Sequence, residues 1–101
     1  MNDIGRPGAD TVSALVRQSW VLLFARRFDA ALAAASRASK LAPNRLAAEL
    51  NIAHALMFLG RSEEALAIHR RNIGRRLPVF NNRLWQGVET DNFRRLREAD
   101  V

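Results

Sequence analysis

The chain contains no cysteine, which excludes disulfide staples, thiolate nucleophiles and cysteine-ligated zinc. It has no tyrosine and only three prolines, and its valines and isoleucines are scattered rather than gathered into strand-like runs. No apolar run approaches the roughly 18 residues that a membrane-spanning helix needs, so no membrane partner is expected. The first ten residues lack the apolar core of an export signal, and the expected location is cytoplasmic. Phosphate-binding loops are missing as well: Gly5 and Gly8 stand in a stretch with little to pack, not between a strand and a helix. No serine sits in a nucleophile-elbow pattern. His54 and His69 have no acidic or cysteine neighbours at metal-ligand spacing. Glu63 and Glu64 are adjacent, and adjacent residues point to different faces of a helix, so they make no catalytic carboxylate pair. The expectation is a chain that is not an enzyme, with no catalytic residue, no metal and no cofactor.

What remains is helical in character. A chain of 101 residues is one domain with a modest core, and its 49% hydrophobic content is dominated by alanine and leucine, which favour helices. The net charge is +6, and all but one of the 16 basic residues are arginine. That excess reads either as a surface for an acidic partner, such as nucleic acid or an acidic protein segment, or as solvated helix faces built from a good helix former. The densest basic run, Arg70, Arg71, Arg75 and Arg76, lies at a helix C-terminus, where cations are welcome; its rival role is contact with phosphate backbones.

The punctuation divides the chain. Residues 1–10, with Gly5, Pro7 and Gly8, read as a flexible tail, and Asp10 or Thr11 is placed to cap the first helix. Helical spacing of apolar residues covers Val12 to Ala25, and Arg26 and Arg27 mark a short turn. A second helix spans Phe28 to Leu41, is stopped by Pro43, and leaves Asn44 to cap a third from Leu46 to Leu59. Gly60 ends that helix, and Ser62 is placed to cap a fourth that carries Glu63 and Glu64 in its first turn and runs to about Ile73. Pro78 lies in the next loop, and a fifth helix is expected over Asn82 to Arg97. No strand is expected.

Shifting the sequence by 34 positions superimposes the two helix pairs: Leu22 falls on Leu56, Phe24 on Phe58, Ala31 on Ala65 and Leu32 on Leu66. A helix–turn–helix period of this length is that of the tetratricopeptide repeat, and Val12 to Leu77 resembles that family. The departures are Leu15 and Gln18 in the first repeat and Glu49 in the second, where the family prefers other residues, and a late Pro78. The resemblance implies an all-α, TPR-like fold, with antiparallel helix pairs in a short right-handed solenoid. Its repeats cover about residues 12–45 and 46–79, with a capping helix at about 82–97, all within a domain of residues 11–101. The family-independent reason for a cap is that two helix pairs leave an open apolar end, and Leu84, Trp85, Val88, Phe93 and Leu96 give the last helix a face to cover it.

The resemblance also implies a function: a scaffold that binds a protein or peptide through the concave face lined by the first helix of each pair. Its register puts Arg17, Trp20 and Phe24 there from the first repeat and Asn51, His54 and Phe58 from the second, beside Val16, Leu23, Leu50 and Met57. Asn51 matches an asparagine of the carboxylate clamp found in chaperone-binding members. Val16 and Trp20 stand where that clamp has lysine and asparagine, so binding of chaperone tails is not expected. His69 reads as a histidine packed between helices. Two other functions stay open: a basic-surface binder of nucleic acid or another polyanion, and a homodimer or larger homo-oligomer that covers apolar surface left by Trp20, Phe24, Met57, Phe58 and Trp85.

Overall fold

The computed structural model describes residues 9–99, which fold mainly into helices: α1 (Ala9–Phe24), α2 (Phe28–Leu41), α3 (Leu46–Phe58), α4 (Ser62–Asn72) and α5 (Trp85–Glu98). The all-α class expected from composition is therefore observed. Of the expected tail, residues 1–8 lie outside the described residues, while Ala9 and Asp10 already belong to α1. Asp10 thus sits in the first turn, where its carboxylate suits the helix dipole, rather than at a cap.

Two helix starts also differ from expectation. Asn44 and Ser62 do not cap α3 and α4: the boundary residues are Arg45 and Arg61, and neither start carries a side-chain cap. A backbone bond from Arg45 N–H to the Ala42 carbonyl, 2.9 Å, closes the turn early and moves the boundary past Asn44. The turn before α4 is so tight that Ser62 is already the first helical residue.

That tight turn occurs twice, 34 positions apart. Arg26 and Gly60 both adopt left-handed backbone, φ 62° and 81°. Arg27 N–H bonds the Leu22 carbonyl at 2.9 Å, and Arg61 N–H bonds the Leu56 carbonyl at 2.8 Å. Arg26 N–H to Leu23 and Gly60 N–H to Met57 are both 3.1 Å. This is the Schellman closure, which satisfies the orphan carbonyls at a helix end. Glycine adopts it freely, whereas a residue with a Cβ is strained there by about 1–2 kcal/mol. Arg26 is held by its side chain instead. Its guanidinium lies over the rings of Phe28 and Phe58, 5.9 and 5.4 Å from their centroids, and donates a hydrogen bond to the Leu96 carbonyl in the last turn of α5.

Small side chains at equivalent positions let the helices approach closely. Ser19 and Ala53 match across the shift, as do Ala31 and Ala65, and all four are fully buried. The central helix is α3. It is enclosed on most sides, with Ala47, Ala48, Leu50, Ala53, Ala55 and Leu56 buried and three polar residues, Glu49, Asn51 and His54, buried among them. Its one buried carboxylate, Glu49, accepts from Arg71 at 2.7 Å and from the Asn72 amide at 3.1 Å, which ties α3 to the end of α4.

Between α4 and α5 the chain forms a short antiparallel pair, β1 (Arg76–Leu77) and β2 (Arg83–Leu84), around a 3-10 turn at Pro78–Phe80. This corrects the expectation of no strand. The fifth helix therefore starts at Trp85, later than the expected Asn82. Its predicted apolar face is the one that packs: Trp85, Val88 and Leu96 are buried, Leu84 and Phe93 half-buried, and Arg94, Arg95 and Arg97 exposed. Trp85 and Val88 share a cluster with Leu50, Ala53, Leu56 and Ile68, so α5 packs against both helices of the second pair. It then continues onto the first, where Leu96 joins Leu23, Ala31 and Ala55.

Candidate functional site

The course of α5 decides which parts of the α1–α3 face stay open. Trp85 anchors its beginning: the buried indole is edge-on to the His69 ring at 5.9 Å and donates Nε1–H to His69 Nδ1 at 3.2 Å. Half-buried His69 thus packs against a neighbour, in keeping with the packed histidine read from the sequence. Farther along, Phe93 stacks on Phe58 at 5.2 Å and lies over His54 at 6.3 Å. The Arg26–Leu96 bond fixes the far end.

The six residues expected to contact a partner are accordingly divided. Arg17, Trp20 and Asn51 line one cleft of about 240 Å³, together with Val16, Ala47, Phe80, Asn92 and Arg95. Phe24 lies outside it, exposed on α1 and edge-on to Trp20 at 4.9 Å. Phe58 is sandwiched between Phe28 (4.8 Å) and Phe93. His54 is fully buried, so no partner touches it while α5 is in place. Leu23 and Leu50 are core residues rather than groove lining.

His54 is the least satisfied group of the interior. Neither ring nitrogen has a hydrogen-bond partner among the described residues, and the ring is flanked by Trp20 and Phe93. Burial, with a smaller contribution from the nearby His69, pushes its pKa down to about 3, so it is neutral at physiological pH.

Among the described residues Asn51 is engaged at one end only. Its amide nitrogen donates to the Val16 carbonyl at 3.2 Å and to Ser19 Oγ at 2.8 Å, while Ser19 Oγ–H donates to the Val16 carbonyl at 2.7 Å. The nitrogen that would grip a carboxylate in a clamp is therefore used to tie α3 to α1. Asn92 differs: its side chain reaches the cleft, is only 7% exposed, and makes no hydrogen bond among the described residues. Arg17 and Arg95 stand at the cleft exposed and, among the described residues, without an ion pair.

Asn92, Arg95, Phe80 and Ala47 were not singled out by the sequence. One signal was present: Trp85, Val88, Asn92 and Leu96 form a single stripe of α5, and a polar residue in an apolar stripe marks a position that is not plain core. The densest basic run is largely engaged within the fold. Arg71 bonds Glu49, Arg75 bonds Asn72 Oδ1 at 3.2 Å, and Arg76 bonds the Asn82 carbonyl at 3.0 Å. Of the large apolar residues expected to leave surface exposed, α5 and its neighbours bury Trp85 and half-bury Trp20, Met57 and Phe58, leaving Phe24 beside Val21.

Among the described residues no helix is long and apolar enough to cross a membrane, and no three metal-ligating side chains converge. Comparison with protein-family models, with curated proteins and with solved structures finds no match to this chain.

Proposed function

We propose that the chain is a helical-repeat interaction module of the tetratricopeptide type, which takes a segment of a protein partner in the cleft between α1, α3 and α5. The repeat reading is supported by the recurrence of the left-handed turn and its hydrogen bonds at a 34-residue offset, Arg26 with Gly60. The observation that carries the binding reading is the unspent polarity of the cleft. The Asn92 amide reaches the cleft without a hydrogen-bond partner among the described residues, beside an apolar floor of Val16, Trp20 and Phe80. Its oxygen and nitrogen are free to bond the backbone of a partner segment, a net gain of about 0.5–1.5 kcal/mol per hydrogen bond. The groove expected from sequence is thus narrowed to the part that α5 leaves uncovered, and the cytoplasm remains the proposed setting.

A photo-cross-linking residue placed at Arg17 tests this, with the same residue at Arg37, on the exposed side of α2, as control. Cross-linked partners should be recovered from the Arg17 position in cells and be competed by unlabelled chain. Equal yields from both positions would remove the cleft as the contact surface. A second reading, self-association, is favoured by one observation: Val21 and Phe24 are exposed side by side on α1.

A further inference from the structure

We infer that the cleft selects, in its protein partner, an apolar residue flanked by acidic ones. This rests on the cleft being the contact surface proposed above, and goes further by naming the chemistry of what enters. At about 240 Å³ the cleft is smaller than the roughly 300 Å³ at which ordinary small-molecule pockets begin, and it suits a single side chain. Val16, Trp20 and Phe80 make the seat apolar. The polar groups are arranged around that seat. Asn92 offers both a donor and an acceptor to a peptide backbone, and Asn51, whose nitrogen is already bonded, offers its oxygen.

Charge then decides what lies on either side. Arg17 comes from α1 and Arg95 from α5, so the two guanidinium groups face the cleft from different walls. No carboxylate lines it among the described residues. Of the acids on α5 within about one turn of Arg95, Asp91 is engaged with Arg83 at 2.6 Å and Arg94 at 3.5 Å, and neither Asp91 nor Glu98 forms an ion pair with Arg95 among the described residues. Arg17 and Arg95 are left at the mouth without a direct ion pair among the described residues, Arg95 feeling Asp91 only beyond contact distance, while no charged side chain other than these two lines the cleft. Their place at the exposed mouth, not at the seat, favours acidic side chains flanking an internal apolar residue over a chain-terminal carboxylate buried in the cleft. Arginine is suited to this because its planar fork pairs with a carboxylate through two bonds. Such exposed pairs add modestly to affinity and chiefly set partner choice.

The test is a set of fluorescein-labelled heptapeptides with central Leu, Met, Phe or Trp and flanks of Glu, Gln or Lys, titrated by anisotropy against the full chain and against Arg17→Glu/Arg95→Glu. Both arginines are exposed, and circular dichroism checks that the variant folds. Glu-flanked peptides should bind about tenfold more tightly than Gln-flanked ones and weaken with salt, and the double reversal should move the preference to Lys flanks. Equal binding of Glu- and Lys-flanked peptides, with cross-linking at Arg17 intact, would overturn the acidic selection and leave the interaction module standing. No peptide binding together with no cross-linked partner would overturn both. A uridine oligonucleotide that binds more tightly than every peptide and loses affinity in the double variant would overturn the inference in favour of a polyanion site.

Discussion

The guanidinium of Arg26, in the turn that closes α1, donates to the carbonyl of Leu96 in the last turn of α5, so residues 70 positions apart hold one corner of the fold. The same Arg26 occupies a backbone conformation for which glycine is better suited, and Gly60 does so at the equivalent turn. Two substitutions separate these effects. Arg26→Ala keeps the backbone strain and loses the clamp, whereas Arg26→Gly loses the clamp and relieves the strain. Urea denaturation should find Arg26→Gly more stable than Arg26→Ala by about 1 kcal/mol. Hydrogen exchange should rise in α5 more than in α2 for both. Equal stability of the two variants would mean that the left-handed turn is not strained.

His54 makes the fold sensitive to mild acid. Its folded pKa of about 3 lies below the ordinary 6.5, so the unfolded chain binds the proton first as pH falls. This contribution to stability is complete above about pH 6.5 and is lost progressively from there toward pH 3, by at most about 1.4 kcal/mol per pH unit. Hydrogen bonds from Arg61 and Arg83 hold the exposed Glu64 and Asp91 carboxyls below their ordinary 4.5 and 3.8. Their support is present above those ordinary values and fades below them, so pH 5 to 6.5 isolates the histidine. His54→Leu should flatten the stability profile in that window and raise stability at pH 7 by about 1–2 kcal/mol, since two unpartnered nitrogens are removed. An unchanged slope would assign the acid sensitivity elsewhere.

Glu49 stands where the repeat resemblance prefers a different residue, and the structure shows what it does there. Its Oε1 serves both Arg71 and the fully buried Asn72 amide. Glu49→Ala should cost about 2–3 kcal/mol, mostly through Asn72, because the Arg71 side chain is 60% exposed and solvent weakens its share. A double-mutant cycle reads this directly: the Glu49–Asn72 coupling should exceed the Glu49–Arg71 coupling.

Removal of Arg83 to Val101 takes away α5 and bares Leu50, Leu56, His54 and Phe58 together. Light scattering should show concentration-dependent aggregation of the shortened chain. The full chain should self-associate at most weakly, and through Val21 and Phe24. Sedimentation equilibrium on Phe24→Ser checks this, and a dimer that survives the substitution would place the contact on another face.

Helix positions are legible in the sequence because the signals are local. Pro43 and Gly60, with small residues at a fixed offset, mark where each helix turns back, and the second helix matches its expected span end to end. The caps expected at Asn44 and Ser62 are absent because closure comes from backbone bonds in the turn, which leave no side-chain signature. The paired strands at Arg76–Leu77 and Arg83–Leu84 are two residues each, too short for alternation to register. Half of the expected contact set, Arg17, Trp20 and Asn51, does share a cleft. The burial of His54 beneath Phe93 is not legible. An amphipathic stripe says which side of α5 packs, but the surface it meets is set by contacts distant in sequence.

The path of α5 also gives the stack of helix pairs a direction. Trp85 and Val88 pack on Leu50, Leu56 and Ile68 of α3 and α4, and Arg26 fastens the same helix at its far end. On the α1 side, Val21 and Phe24 remain uncovered. Under the proposed repeat arrangement, a further pair packed on α3 and α4 would first have to unseat α5. Tandem copies joined tail to head would therefore behave as separate beads, each with its own cleft, and not as one continuous superhelix.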